Sequence, residues 1–241
     1  MSVIWQEMML HLKINFRERQ AVFWGFLFPI FLLFLFCSVF GGSPQRSTAL
    51  VAGLITINVM TGALFGTGVI LVGAREQGTL RRYAVAPVAR WKVIVGIIAS
   101  RLISITLTTL LLVVLARLVY HILLPTHPLA LVAVYFVGTL MFCSIAFVLA
   151  SLAGSVAAAN GVAQVLFMPM MFLSGATFPS EFMPTWLQKV SAVLPSTYYV
   201  AALKNVMSAG GTLGDNGLDL LVMAAFATVG VAISARFFRW T

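Results

Sequence analysis

The sequence predicts an all-helical (all-α) membrane protein, with five or six spanning helices behind an amphipathic leader. Three observations carry that expectation. Hydrophobic residues make up 61% of the 241 residues and charged residues 9%, and the mean hydropathy is +1.04, far outside the range of soluble domains. Apolar runs of about 20 residues recur, each long enough as a helix to cross a hydrocarbon core of about 30 Å. Runs of that length imply helices rather than a barrel, because each helix satisfies its own backbone polar groups in lipid.

The elements follow in chain order. The leader "SVIWQEMMLHLKINFRERQ" places Ile4, Met8 and Leu12, with Trp5, Met9 and Phe16, on one side at helical spacing, and Glu7, Lys13, Arg17 and Arg19 elsewhere. This pattern suits a helix lying in the headgroup plane, a solvated tail being the alternative. Residues 21–40 form the first apolar run; no small-residue cleavage site precedes "GGSPQRS", so the run reads as a retained span. Gly41, Gly42 and Pro44 end it, and residues 49–73 make the second span. The third lies within 93–124 and is stopped by "PTHP"; residues 129–150, 160–177 and 218–235 supply the rest, the last one followed by the basic end "RFFRW". Residues 178–211, "FPSEFMPTWLQKVSAVLPSTYYVAALKNVMSAGG", are too polar and too rich in proline for a plain span.

Charge orients the chain, since the side that keeps Lys and Arg is normally cytoplasmic. With six spans, Lys13, Arg17 and Arg19 of the leader, Arg75, Arg81, Arg82, Arg90 and Lys92 of the stretch "REQGTLRRYAVAPVARWK" (75–92), and Arg236 and Arg239 of the tail share one side. The other side keeps Arg46, Lys189 and Lys204. Both termini are therefore expected in the cytoplasm, and the net charge of +9 with pI near 10.3 is explained by topology and anionic membrane lipids. A nucleic-acid partner, which would want a basic face on a soluble fold, is not expected. Arg101 and Arg117 fall inside the third apolar run. Their sixteen-residue separation rises about 24 Å along a helix, so the two side chains can snorkel to opposite interfaces; a charge on a substrate path is the alternative.

Catalytic chemistry is scarce. The four lysines follow Leu12, Trp91, Gln188 and Leu203, whereas a phosphate-cradling loop needs a Gly-Lys pair, so the chain cannot hold ATP in that way. His11, His121 and His127 are dispersed, Cys37 and Cys143 sit in separate apolar runs as packing residues, and no metal-ligand spacing results. Asp215 and Asp219 stand at the start of the last span, where Asp215 is placed to cap a helix.

Two stretches carry a resemblance. "REQGTLRRYAVAPVARWKVIVG" resembles the first cytoplasmic loop of type-2 ATP-binding-cassette (ABC) exporter permeases, in which an E-x-G-T-L run, a short helix and a later Pro-Val precede the third span; Glu76, Gly78, Thr79, Leu80, Pro87 and Val88 match. "FLSGATFPSEFMPTWLQKVSAVLPSTYYVAALKNVM" is similar to the family's signature after the fifth span, matching at Leu173, Ser174, Gly175, Phe178, Pro179, Pro184, Trp186, Leu187, Pro195, Thr197, Tyr198, Ala202 and Leu203. The leader followed by "FWGFLFPIFLLFLF" fits its amphipathic helix and first span. Arg81 and Arg82 depart from the pattern, standing where many relatives have an acidic residue and a Leu.

The resemblance implies one permease domain over 1–241, with a leader over 1–20, six spans, a cytoplasmic coupling region over 75–92 and an outer pair of short re-entrant helices within 178–210. It implies a multi-pass protein of the bacterial cytoplasmic (inner) membrane that works as a homodimer, or as a heterodimer with a related permease. Separate cytoplasmic P-loop ATPase subunits would bind ATP and Mg, with no cofactor on this chain and no enzymatic site of its own. Glu76, Gln77, Gly78, Thr79, Leu80, Tyr83 and Pro87 are the expected ATPase-coupling residues, and Gly175, Phe178, Pro179, Pro184, Trp186, Pro195 and Tyr198 the expected outer re-entrant set. A second coupling contact in "SLAGSVAAAN", between the fourth and fifth spans, is short and uncharged and stays open.

The abundance of Phe (19) and Met (11) suits a hydrophobic drug, antibiotic or lipid as the exported substrate, with polysaccharide or glycolipid export second. An ion-coupled secondary transporter is the rival of another class; it would need an ion-coupling residue near mid-membrane, and apart from Arg101 and Arg117 no charged side chain lies well inside a span.

Overall fold

A computed structural model describes residues 3–78, 90–177 and 183–237, and every regular element among them is helical. In order these are α1 (Val3–Arg17), α2 (Arg19–Val22), a π-helical turn (Phe23–Leu27), α3 (Phe28–Phe40), α4 (Pro44–Ala63), a second π turn (Leu64–Val69), α5 (Ile70–Glu76), α6 (Arg90–Tyr120), α7 (Pro128–Leu152), α8 (Val156–Leu173), α9 (Thr185–Ser191), α10 (Pro195–Ser208) and α11 (Gly217–Phe237). Among the described residues five helices are long and apolar enough to cross a membrane, Pro44–Glu76, Val95–Tyr120, Pro128–Leu152, Val156–Leu173 and Gly217–Arg236, and Gly25–Phe40 is a shorter apolar helix.

Local chemistry sets the boundaries. The second span starts at Pro44, five residues before its hydropathy does, because Ser43 is extended and its Oγ accepts the Arg46 N–H at 3.3 Å while Pro44 fills the first helical position. It ends at Glu76, and Gly78 takes the left-handed conformation at φ +70, which glycine adopts without a Cβ penalty. Three sequence expectations need correction. The fifth span runs Val156–Leu173 rather than 160–177, since Ser155 caps it with Oγ accepting the Ala158 N–H at 3.2 Å. The first span is helical throughout but contains a π turn at Phe23–Leu27, an irregularity that a plain span over 21–40 does not include. Asp215 does not cap α11 directly; its carboxylate accepts the Thr212 N–H at 2.8 Å and the Thr212 hydroxyl at 2.7 Å, closing the turn before the helix. Those two bonds hold the Asp215 carboxyl below the usual range, the backbone bond contributing most.

In lipid the hydrophobic effect does not draw helices together, so close packing and polar ties must. The second span is the centre of the bundle: Val51, Val59 and Met60 are fully buried, and it packs against α10, α6 and α3 while α11 lies along α7. Asn58 ties it to the third span, donating from Nδ2 to Ile105 O (3.3 Å) and Thr109 Oγ1 (3.0 Å). The leader α1 lies against α6. By contrast only 17% of the α8 span and 11% of the α11 span are buried, so these two helices turn most of their apolar surface outward.

The segment after the fifth span dips into the bundle. α10 buries Tyr199, Val200, Ala202, Leu203, Val206 and Met207. The Tyr199 ring meets Phe142 edge-on at 5.8 Å and lies against Gly138, where an added Cβ would fall 2.2 Å from ring carbons. Gly138 is about 15 Å along α7 from Pro128, roughly half the hydrocarbon thickness. Gly53 plays the same part in α4, where a Cβ would come 2.0 Å from the Ala176 carbonyl oxygen. Irregular backbone at this depth is tolerable because protein encloses it: Ser174, Gly175 and Ala176 are buried.

Candidate functional site

The second span ends in two oppositely charged neighbours, Arg75 and Glu76, and each grips one side of the connection between α7 and α8. The Arg75 guanidinium donates from Nη1 to Ala150 O at 3.1 Å and from Nη2 to Ala153 O. Ala150 lies in the last turn of α7 and Ala153 is its C-cap residue, so a cation satisfies carbonyls that the helix end leaves without partners. Glu76 Oε2 accepts the N–H of Val156, the first residue of α8, at 2.9 Å, placing an anion on the positive end of that helix. Side-chain caps of this kind contribute about 0.5–2 kcal/mol. Gly73 faces the same connection, and a Cβ built there would stand in ordinary contact with Val156 Cγ2, at 3.4 Å.

Residues 75–76 and 150–156 thus form one clasp joining the ends of three spans. Sequence reasoning singled out Glu76 but missed both its partner and the role of Arg75, because the acceptors and donor are backbone groups 75 to 80 positions away. One signal was readable: Ser155 followed by Val-Ala-Ala-Ala is a helix start, and it places the connection at 153–155 instead of closer to Asn160. Gln77 follows as the C-cap of α5, its N–H donating to Gly73 O at 2.9 Å, and is exposed like Glu76. Thr79, Leu80, Tyr83 and Pro87 lie outside the described residues.

At the other end of the second span, Gly53 being about 35 Å from Glu76 by helix rise, the structure gathers part of the outer set. Gly175 takes φ +80, and its carbonyl accepts Lys204 Nζ of α10 at 2.7 Å. Pro195 is buried at the first position of α10 and Pro184 precedes α9. Ser191 Oγ donates to Leu173 O at 2.6 Å and Tyr198 OH to Ala192 O at 2.8 Å, fastening α9 to both neighbours. Trp186 stands 65% exposed, as an interfacial anchor does. Phe178 and Pro179 lie outside the described residues.

The two arginines of the third span sit near opposite ends of the apolar segment, each with a partner: Arg101 Nη1 donates to Asn15 Oδ1 of the leader at 2.7 Å, and Arg117 Nη1 to Ile122 O at 2.6 Å. Among the described residues no three His, Cys, Asp or Glu side chains converge to hold a metal ion.

A sequence model of the ABC-2 type transporter family matches residues 2–208. The chain is 27% identical over 200 residues to "Probable multidrug ABC transporter permease YbhR" of Escherichia coli (strain K12), covering 78% of this chain and 52% of that protein. It is 25% identical over 203 residues to "Inner membrane transport permease YhhJ" of the same organism, covering 81% and 51%, and 28% identical over 195 residues to "Nodulation protein J" of Rhizobium leguminosarum bv. viciae, covering 79% and 73%. The chain spans about half the length of the two Escherichia coli relatives. The chain belongs to the ABC-2 type transporter family of membrane permeases.

Proposed function

We propose that this chain is the transmembrane subunit of an ATP-driven exporter that moves a hydrophobic or amphiphilic substrate, of drug, antibiotic or lipid type, outward across the bacterial inner membrane. Separate P-loop ATPase subunits bind ATP and Mg, and two permease copies, identical or related, enclose the path. The observation that carries this reading is the Arg75–Glu76 clasp. Residues 77–92 continue directly from it, so a force applied there by a closing ATPase reaches spans two and three by chain connection and spans four and five through the clasp. The outward apolar face of α8, with Val162, Val165, Met168 and Phe172 all exposed, supports a second copy docking there. The multidrug wording in the name of one relative and the wealth of Phe and Met support the substrate class.

The reading requires both termini and residues 75–92 on the ATPase side. With Cys37 and Cys143 replaced, single cysteines at Ser2, Ala84 and Thr241 should resist an impermeant thiol reagent in intact cells, while cysteines at the exposed positions Gln45, Thr126 and Gln188 should react. Labelling of position 84 from outside sinks the coupling role.

A further inference from the structure

A cavity of about 290 Å³ lies between the leader, the first span, the second span and α6. One part of its lining is polar, with Asn15, Glu18, Asn58, Arg101, Ser104 and Thr108. The other part is apolar, with Phe28, Leu32, Leu54 and Ile57. The polar part is built in a fixed arrangement. Asn15, 7% exposed, accepts from Arg101 Nη1 at 2.7 Å and donates from Nδ2 to Ser104 Oγ at 3.2 Å, and Ser104 Oγ donates to Ser100 O at 3.0 Å. A guanidinium has five N–H donors in a planar fork suited to phosphate, and among the described residues Arg101 hydrogen bonds only to Asn15.

Both π turns contribute to the cavity. Gly25 and Phe26 come from Phe23–Leu27, and Phe65 and Gly66 from Leu64–Val69. Single π turns inside α-helices are frequent at functional sites, and they displace backbone groups from regular pairing. Here Thr108 Oγ1 reaches across to donate to Gly25 O at 2.9 Å. Gly66 lies beside the Arg101 stem, a Cβ built there standing 3.8 Å from Cδ. Two helices thus depart from regular geometry at the walls of one cavity whose lining includes both a cation and apolar side chains.

We infer that this cavity binds a phosphate-headgroup amphiphile bearing an amine, with the phosphate on Arg101, the ammonium toward Glu18 and the start of one hydrocarbon chain along Phe28, Leu32, Leu54 and Ile57. A free inorganic anion would leave the apolar walls unused and a neutral lipid would use neither charge, whereas a headgroup carrying both a phosphate and an ammonium keeps the balance of the neighbouring Arg101 and Glu18. The volume lies at the low end for ligand pockets, which suits a headgroup and part of one chain, the remainder passing the partly exposed Phe26 and Phe28 into the membrane. The site rests on the membrane-spanning reading and not on the ATPase partner.

The test is native mass spectrometry of the purified full chain in detergent, titrated with dioctanoyl phosphatidylethanolamine, dioctanoyl phosphatidylglycerol, dioctanoylglycerol and inorganic phosphate. The expected result is one saturable phosphatidylethanolamine site, with the other two lipids weaker and no displacement by millimolar phosphate. Removing a charge-assisted contact in Arg101→Gln should weaken binding about tenfold, Thr61→Phe should do the same by filling the cavity, and Arg117→Gln at the far end of α6 should bind as wild type. Size-exclusion chromatography checks folding, and Thr61→Phe decides if Arg101→Gln aggregates. Equal binding of dioctanoylglycerol or phosphatidylglycerol, displacement by phosphate, or wild-type affinity in a folded Arg101→Gln or Thr61→Phe protein would overturn the assignment. No ATPase is present in this assay, so its failure is separate from any failure of the exporter reading.

Discussion

A Glu76→Ala permease is expected to insert, dimerise and retain its ATPase subunit, yet lose most of the substrate-stimulated part of ATP hydrolysis. The substitution deletes the acceptor of the Val156 N–H and the negative charge at the start of α8, a loss of about 0.5–2 kcal/mol for a cap. That is too little to dismantle a bundle whose buried contacts lie elsewhere. It is nevertheless roughly a tenfold change in the population of a closed clasp, and in the proposed role coupling depends on that population. Glu76→Gln keeps a hydrogen-bond acceptor without the charge and should fall between the two. Gly78→Val should uncouple by a different route: nothing stands within 4 Å of its Cβ, so the cost comes from the φ of +70, about 1–2 kcal/mol for a side-chain-bearing residue. The measurement is the ATPase rate of reconstituted complex with and without substrate. Wild-type stimulation in both Glu76→Ala and Gly78→Val would return residues 75–92 to the status of a solvated basic loop.

Gly138→Ala should be among the most damaging single-methyl changes in the protein. Its Cβ would fall 2.2 Å from two carbons of the Tyr199 ring, and that ring is fully buried against Phe142. Either α10 moves outward or α7 does, and overpacking of this kind costs about 1–3 kcal/mol or more. Gly161→Ala supplies the opposite sign. Its Cβ meets nothing within 4 Å, and alanine in a helix interior is favoured by about 0.5–1 kcal/mol. Thermal stability followed by size-exclusion chromatography should therefore fall for Gly138→Ala and hold or rise for Gly161→Ala. Gly138→Ala combined with Tyr199→Ala should lose less than the two single changes added together, because they share one contact. Strict additivity would show that α10 does not rest on α7 at this depth.

The spans were readable because length and hydropathy are local properties, and residues such as 129–150 need no partner to declare themselves apolar. Helix ends were less readable. Asn160 reads as the polar start of the fifth span, while Ser155, three residues beyond the previous helix, holds the cap. The π turn at Phe23–Leu27 has no residue pattern of its own inside "FWGFLFPIFLLFLF"; its carbonyl partner is a threonine more than 80 positions away. The candidate coupling site was half legible. Glu76 and Gly78 stand in a recognisable run, but the clasp depends on backbone atoms of 150–156 that carry no side-chain signature. Asn58, the buried polar tie between the second and third spans, is a single uncharged polar residue in an apolar run, and its partners lie 47 and 51 positions away.

The stretch leaving the second span at Glu76 is proposed as the joint to a P-loop ATPase, and cross-linking in the assembled complex tests that role most directly. A photo-reactive amino acid at position 84, within that stretch, and another at Thr126, in the connection before α7, would be introduced into the full chain and irradiated in a complex reconstituted with a P-loop ATPase subunit. The expected result is an ATPase cross-link from position 84 whose yield changes with ATP and Mg, and none from position 126. A cross-link from 126, or none from 84 in a complex that hydrolyses ATP, would contradict the account.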